Sequence, residues 1–239
     1  MPNPYFRFKQ FTVYHDRCAM KVGTDGVLLG AWCDVQDAVS ALDVGTGTGL
    51  IALMLAQRNP SLKINAIDIE ENAVIQACEN IDRFPLAGGI NCFCLSLQDF
   101  AEQIHLTKKY DLIVSNPPYF EQSLKSPNRG RTLARHTDTL PINELLSTST
   151  KLLSDKGKLS VIYPYEYKDT LLKLSEENQL YISRFTNVHP TPTSAPKRIL
   201  AELTKQAAPL IETDLVIEKE RHVYSDGFTA LVKDFYLKL

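Results

Sequence analysis

The chain has no apolar stretch long enough to span a bilayer, and its first ten residues, Met1 to Gln10, contain no apolar run. Neither a membrane anchor nor a secretory leader is therefore expected, and the protein is expected in the cytoplasm. Cysteine is sparse and oddly numbered. Cys18, Cys33, Cys78, Cys92 and Cys94 form no Cys-x-x-Cys pair, and the five histidines are scattered. Free thiols and no metal site follow. Cys92 and Cys94 alternate along a strand-like stretch, which reads as sheet face. Positive charge is not in excess either: 26 Lys and Arg stand against 28 Asp and Glu, a formal net charge of −2. That argues against indiscriminate coating of nucleic acid and leaves room for a local basic patch. Internal repeats, low-complexity tracts and clear linkers are missing as well, and nothing marks an obligate protein partner.

What is present suits one large α/β unit: 239 residues, 44% of them hydrophobic. From Ala41 onward, short apolar runs alternate with helical periodicity, the pattern of a parallel sheet with crossover helices. Strands are predicted over 41–44, 62–67, 91–97, 110–114 and 158–163. Helices are predicted over 50–58, 71–81, 142–153 and 166–177, the third closed by Asp155-Lys156-Gly157. Residues 180–188 and 198–205 are also strand-like, and the Pro-rich stretch between them is too short for a crossover helix, so this pair should be antiparallel. The predicted fold is a doubly wound, mostly parallel seven-stranded sheet of Rossmann-like type with an antiparallel terminal hairpin, its edge covered by a short element in 224–239. Residues 1–36 fall outside the alternation. Phe6, Phe8, Phe11 and Val13 alternate like a ribbon, and an apolar helix runs from Val27 to Trp32. They read as an N-terminal cap over the carboxyl edge of the sheet formed by 37–239.

Two motifs carry the chemistry. Asp43-Val44-Gly45-Thr46-Gly47-Thr48-Gly49 lies between a strand and a helix. Glycines without Cβ let a backbone approach a ligand with a helix N-terminus behind it. A tight turn that happens to be glycine-rich is the competing explanation. Asp68 ends the next strand, where a carboxylate can accept both hydroxyls of a ribose; an Asp there also suits a helix cap. Leu50 stands where a dinucleotide fingerprint wants its third glycine, which disfavours hydride transfer. Asp99-Phe100 could grip an adenine through a carboxylate and a backbone amide, or could be a loop Asp with a core Phe.

The second motif is Asn116-Pro117-Pro118-Tyr119, closing the fourth strand. The Asn116 side-chain carbonyl and the Pro117 carbonyl can accept both hydrogens of an exocyclic amine. The prolines hold the turn stiff, and Tyr119 offers a face on which an extruded base can lie. A conjugated amine is a poor nucleophile because its lone pair is delocalised; two acceptors favour a more tetrahedral nitrogen. The pair of motifs together describes a site that sets a methyl donor against a planar nitrogen. Directly after it, Lys125, Arg129, Arg131, Arg135 and His136 run with no acidic residue between them. Arg7, Lys9, Arg17 and Lys21 add charge in the cap, and Lys197-Arg198 sits on the last hairpin turn. These segments suggest a phosphate clamp for a folded nucleic acid; a solvated surface remains an alternative for each alone.

These residues resemble the class I amino-methyltransferases that use S-adenosylmethionine. The segment Met20-Lys21-Val22-Gly23-Thr24-Asp25-Gly26-Val27-Leu28-Leu29-Gly30-Ala31-Trp32, with Ala134-Arg135-His136 and the ending Asp234-Phe235-Tyr236-Leu237, narrows the likeness. It is to bacterial tRNA adenine N6-methyltransferases that modify the adenosine 3′ of the anticodon in a valine tRNA. The resemblance covers essentially the whole chain. It implies that Gly45, Gly47 and Gly49, helped by Asp43, hold the donor's methionine end, that Asp68 takes its ribose and Asp99 with Phe100 its adenine. Asn116 and Pro117 would then bind the target amine, Tyr119 would stack on its base, and Thr24 and Asp25 would close over the donor. Lys21, Lys125, Arg129, Arg131, Arg135, Lys197 and Arg198 would meet tRNA. A protein glutamine amide, a ribosomal RNA guanine, a DNA adenine and a non-catalytic RNA-binding module stay open as alternatives.

Overall fold

Short strands buried on both faces decide the architecture. A computed structural model describes residues 3–18, 20–103, 107–118 and 140–239. Eight strands form one sheet in the order β10-β8-β9-β7-β6-β3-β4-β5. They are β3 (Ser40–Val44), β4 (Lys63–Asp68), β5 (Ile90–Cys94), β6 (Tyr110–Ser115), β7 (Leu153–Pro164), β8 (Tyr181–His189), β9 (Arg198–Thr204) and β10 (Ile211–Val216). Strands β3 to β7 pair in parallel; β9 runs antiparallel to both β7 and β8, and β10 pairs in parallel with β8. Only β9 is reversed within this sheet, so the carboxyl ends of all the others emerge on one edge.

Ala41, Ile64, Ala66, Leu112, Val114, Ile162 and Leu200 point into one apolar layer. Leu42, Val44, Ile67, Ile113, Leu159, Val161 and Ala201 point into the other. A sheet covered on both faces needs apolar residues on both, which is why these strands read as continuous hydrophobic runs. The first layer contains α1 (Thr24–Trp32), α2 (Leu50–Arg58) and α3 (Glu71–Asp82) together with Phe8, Phe11, Val13, Phe228 and Phe235. The second contains α4 (Leu97–Gln103) and the helices Ile142–Leu152 and Lys168–Glu177. The doubly wound, mostly parallel sheet and its antiparallel β8–β9 hairpin are thus present.

The strand count is eight, not seven. Strand β10 alternates Ile211, Thr213 and Leu215 with Glu212 and Asp214. It lies almost wholly exposed at an edge, where charge blunts further pairing. Two other boundaries differ. The stretch Asp155-Lys156-Gly157 does not close a helix; it lies inside β7, at an irregularity in its pairing with β6. Gly157 is required there because a Cβ would come within 2.6 Å of the Tyr110 carbonyl oxygen. The third predicted strand stops at Cys94, and α4 follows it.

Ahead of the sheet, β1 (Tyr5–Arg7) and β2 (Thr12–Tyr14) form the expected antiparallel ribbon. Phe8 bridges to Tyr236 near the chain's other end. Strands β11 (Glu218–Glu220) and β12 (Val223–Tyr224) make a small hairpin, and the helix Asp226–Val232 begins on Ser225, whose hydroxyl accepts from the Phe228 amide at 3.0 Å. No helix among the described residues is long and apolar enough to cross a membrane.

Candidate active site

At the carboxyl edge, β3, β4, β5 and β6 each deliver a short segment to one crevice of about 600 Å³. The first is the glycine turn. Gly45, Gly47 and Gly49 adopt φ of +71°, +55° and +79°, a region that costs an ordinary L-residue about 1–2 kcal/mol. A Cβ on Gly45 or Gly47 would meet no atom within 4 Å, so both face open space; one on Gly49 would press the Ala77 Cβ at 3.3 Å. The first two glycines therefore leave room for a ligand, and the third lets α2 pack on α3. The turn is tied to β4 by amide bonds from Gly45 and Thr46 to the Ile67 carbonyl, each 2.9 Å.

Two carboxylates sit at this turn and do different things. Asp43 is fully buried and does not line the crevice. Its Oδ2 accepts from the Thr46 hydroxyl at 2.7 Å and from the Ala52 amide at 3.2 Å, while Oδ1 has no hydrogen-bond partner. Burial pushes its carboxyl up to about 7, against the pull of those two bonds. Asp43 thus holds the turn onto the start of α2 from below. Asp68 lies in the crevice and accepts from the Gly47 amide at 2.8 Å and the Glu70 amide at 3.0 Å. A carboxylate at the end of β4, beside an open glycine turn, fits a nucleoside with its hydroxyls toward Asp68.

After β5, the crevice is lined by Leu95, Ser96, Leu97 and Gln98. Asp99 and Phe100 are not among its walls. Asp99 accepts from the Ser96 hydroxyl at 2.6 Å and returns its amide to that oxygen at 3.0 Å, closing the first turn of α4. Phe100 is buried and meets Phe93 with ring centroids 5.5 Å apart. The segment predicted to grip an adenine is therefore in place, but the atoms facing the crevice belong to the residues just before the predicted pair.

Ser115, the last residue of β6, and Asn116, Pro117 and Pro118 after it all line the crevice. Ser115 is buried and donates to the Val44 carbonyl at 2.9 Å, which fixes the end of β6 against the strand that feeds the glycine turn. The two sequence motifs thus face one cavity. Tyr119 and the basic positions Lys125, Arg129, Arg131 and Arg135 lie outside the described residues.

The other predicted residues divide. Arg17 and Met20 line the crevice, with Cys18 between them, whose thiol burial and the Asp68 charge push up to about 11. Lys21 is exposed beyond them. Thr24 and Asp25 are not at the crevice: they line a second cavity of about 290 Å³ together with Lys197 and Arg198. Asp25 accepts from Arg198 Nε at 2.8 Å.

Sequence reasoning missed Glu144 and Pro141, which wall the crevice from the helix Ile142–Leu152, Glu144 being bonded to Gln98. It also missed Asn80, whose side chain donates to the Thr48 and Tyr14 carbonyls and accepts from the Tyr14 amide, each at 2.9 Å. The signal for Asn80 was available: a polar residue on the apolar face of α3, beside Ala77 and Ile81, needs partners.

The methyltransferase small domain family matches residues 27–177. A protein of Parabacteroides distasonis named tRNA1(Val) (adenine(37)-N6)-methyltransferase is 52% identical over all of both chains. Its namesake from Trichodesmium erythraeum is 51% identical over 98% of each. Among solved structures, a predicted O-methyltransferase from Agrobacterium tumefaciens superposes with a TM-score of 0.69 at 16% identity, covering 88% of this chain and 96% of that one; this likeness concerns the fold. With a family match across the glycine turn and Asn-Pro-Pro, and full-length relatives at half identity, the chain belongs to the methyltransferase small domain family.

Proposed function

We propose that the protein transfers a methyl group from S-adenosylmethionine to the exocyclic N6 amine of an adenosine in tRNA, the adenosine 3′ of the anticodon in a valine tRNA. The observation that carries this reading is the meeting of Gly45, Gly47 and Asp68 with Asn116 and Pro117 around one crevice. The names borne by relatives at 52% and 51% identity over essentially the full chain support the substrate. Its place of action is the cytoplasm, and its macromolecular partner is the tRNA itself.

S-adenosylmethionine, when bound, supplies an electrophilic methyl group on a sulfonium. The chain does the rest. Gly45 and Gly47 admit the donor against bare backbone, and Asp68 accepts from its ribose hydroxyls, exchanging the Gly47 amide for them in part. Ser96 to Gln98 border its base. Across the crevice, Asn116 and Pro117 present oxygen acceptors to the two amine hydrogens and raise electron density on nitrogen toward the methyl group. The amine proton becomes acidic only as the new bond forms, so no strong base is required; Asn116 holds that proton until solvent takes it. The target must leave its stack to reach the crevice, and an anticodon loop lowers that cost because its bases are already unpaired.

Incubation with labelled donor and unmodified total tRNA, followed by nucleoside analysis, tests the whole reading. The expected product is N6-methyladenosine at a single position beside the anticodon. Label in guanosine, or in protein alone, would replace the acceptor assignment.

A further inference from the structure

The second cavity, about 290 Å³, is not used by the reaction just described. It lies at the same edge of the sheet, because Val188 and Pro190 on its wall flank the carboxyl end of β8 at His189, and β8 runs parallel with β6. From β6 the order across the sheet is β7, β9, β8. Three strand spacings of ~4.8 Å separate the carboxyl end of β8, on this cavity's wall, from that of β6, which leads into Asn116, by roughly 14 Å across the sheet. At ~3.4 Å per stacked nucleotide, about four nucleotides bridge that distance.

One side of the cavity is aromatic. Tyr224 meets Phe228 with centroids 4.8 Å apart and Tyr236 at 6.3 Å, and all three line the space. The lining also includes Lys197, which is exposed, and Arg198 in its ion pair with Asp25. Glu218 adds a carboxylate acceptor, its own backbone amide fixed to the Pro190 carbonyl at 3.0 Å. The volume is at the small end for ligand pockets and suits one base with its sugar, not a dinucleotide. The rings are tilted against one another, so Tyr224, partly exposed over the buried Phe228, offers the face on which a base can lie. An aromatic face, cations for the neighbouring phosphate and a carboxylate able to accept from an exocyclic amine are what an unpaired nucleobase needs.

We propose that this cavity receives one unpaired nucleobase of the RNA substrate, a few nucleotides from the methylated adenosine, and so sets the register in which the target reaches Asn116. The proposal rests on the RNA acceptor assigned above. It gives Thr24, Asp25, Lys197 and Arg198 a common place, with Asp25 holding the Arg198 guanidinium at the rim.

The test uses the full-length protein and an anticodon stem-loop RNA carrying 2-aminopurine at each loop position in turn. Wild-type protein should quench or enhance the emission at one position besides the target. Tyr224→Ala should abolish that response and raise the KM for RNA about tenfold, with a far smaller fall in kcat and an unchanged Kd for the donor. Lys197→Ala, at an exposed site that leaves the aromatic wall intact, should raise the KM several-fold and keeps the question answerable if Tyr224→Ala is unstable. Wild-type RNA KM values in both variants, in a protein that methylates RNA, would overturn the cavity's role alone. A wild-type protein that methylates no RNA would overturn it together with the proposed acceptor.

Discussion

The two cavities at the carboxyl edge are made of different materials. The crevice holding Gly45, Gly47 and Asp68 is built largely of backbone: left-handed glycines, amides bonded to the Ile67 carbonyl, and a rigid Asn-Pro-Pro turn anchored by Ser115. The second cavity is built of long side chains: three rings, a lysine, and an ion pair between partly exposed partners. Backbone geometry cannot shift by a rotamer, so it suits a ligand that is always the same and a methyl group that must be delivered in line. Side chains on hairpin turns can adjust, which suits recognition of a large partner at modest energy. An ion pair near the surface such as Asp25–Arg198, its partners 25% and 33% exposed, is worth on the order of 1 kcal/mol.

The largest effect should come from the rigid side. Asn116→Ala removes one of two acceptors for the amine and should lower kcat on the order of 10²–10³-fold. Donor affinity, measured by calorimetry, should stay within a few-fold. An equal loss of both would mean that Asn116 shapes the crevice instead of acting on the acceptor. Next, Gly45→Ala places a side chain at φ +71° without any steric neighbour. Strain of about 1–2 kcal/mol in the turn should weaken the donor Kd roughly tenfold and leave RNA affinity nearly untouched. A donor Kd equal to wild type would show that the turn is not held rigid, and the contrast between the cavities would lose its basis.

A matching experiment sharpens the other side. Replacing Arg129, Arg131 and Arg135 together should flatten the log–log salt dependence of RNA binding by about two, at ~0.7 per phosphate on single strands. An unaltered slope would take these arginines out of the phosphate contacts, whatever happened to the affinity.

The two regions were also unequally legible in the sequence. The helix Leu50–Arg58 and the β8–β9 hairpin followed from apolar period and loop length, because burial on both faces leaves little freedom in such elements. The glycine turn and Asn116-Pro117 were legible because each residue type answers one local need. Strand β10 was not, since its alternating face, Ile211, Thr213 and Leu215, is short and mostly exposed at an edge. Nor was the division between the cavities. Thr24 and Asp25 stand only a few residues after Met20, which lines the crevice, yet α1 begins there and carries them away toward Arg198. Asp99 stands just past the residues that wall the crevice, because the local choice to bond Ser96 is invisible until the backbone is fixed.

Buried charge on the rigid side makes a pH prediction. The Asp43 carboxyl, pushed by burial up to about 7, ionises in the unfolded chain near its ordinary 3.8. The folded protein therefore binds a proton that the unfolded chain releases between those values. Asp43 costs stability above about pH 7, and the cost fades as pH falls toward 4, with a slope of at most about 1.4 kcal/mol per pH unit. Asp43→Asn keeps an oxygen for Thr46 and Ala52 and should remove that slope from urea midpoints taken between pH 4 and 7. The same slope in the variant would sink the assignment of the titration to Asp43.

The smallest effect lies on the adaptable side. His189 closes the turn that carries Lys197: its Nδ1 meets the Ser194 carbonyl and its Nε2 the Asp214 carboxylate, both at 2.9 Å. Those two acceptors hold its pKa above the ordinary 6.5, and the His189 ring in turn holds the Asp214 carboxyl below its usual range. The sign is opposite to that of Asp43. The His189 contribution is fully present below pH 6.5 and is lost as pH rises through the higher folded value. Ring proton shifts followed by NMR should titrate above 6.5 in the wild type and move back toward it in Asp214→Asn. Because a bond at the surface is readily replaced by water, RNA affinity in that variant should change less than twofold. A larger loss would mean that the turn under Lys197 is as rigidly required as the glycine turn, and the two cavities would then differ in their materials without differing in their tolerance.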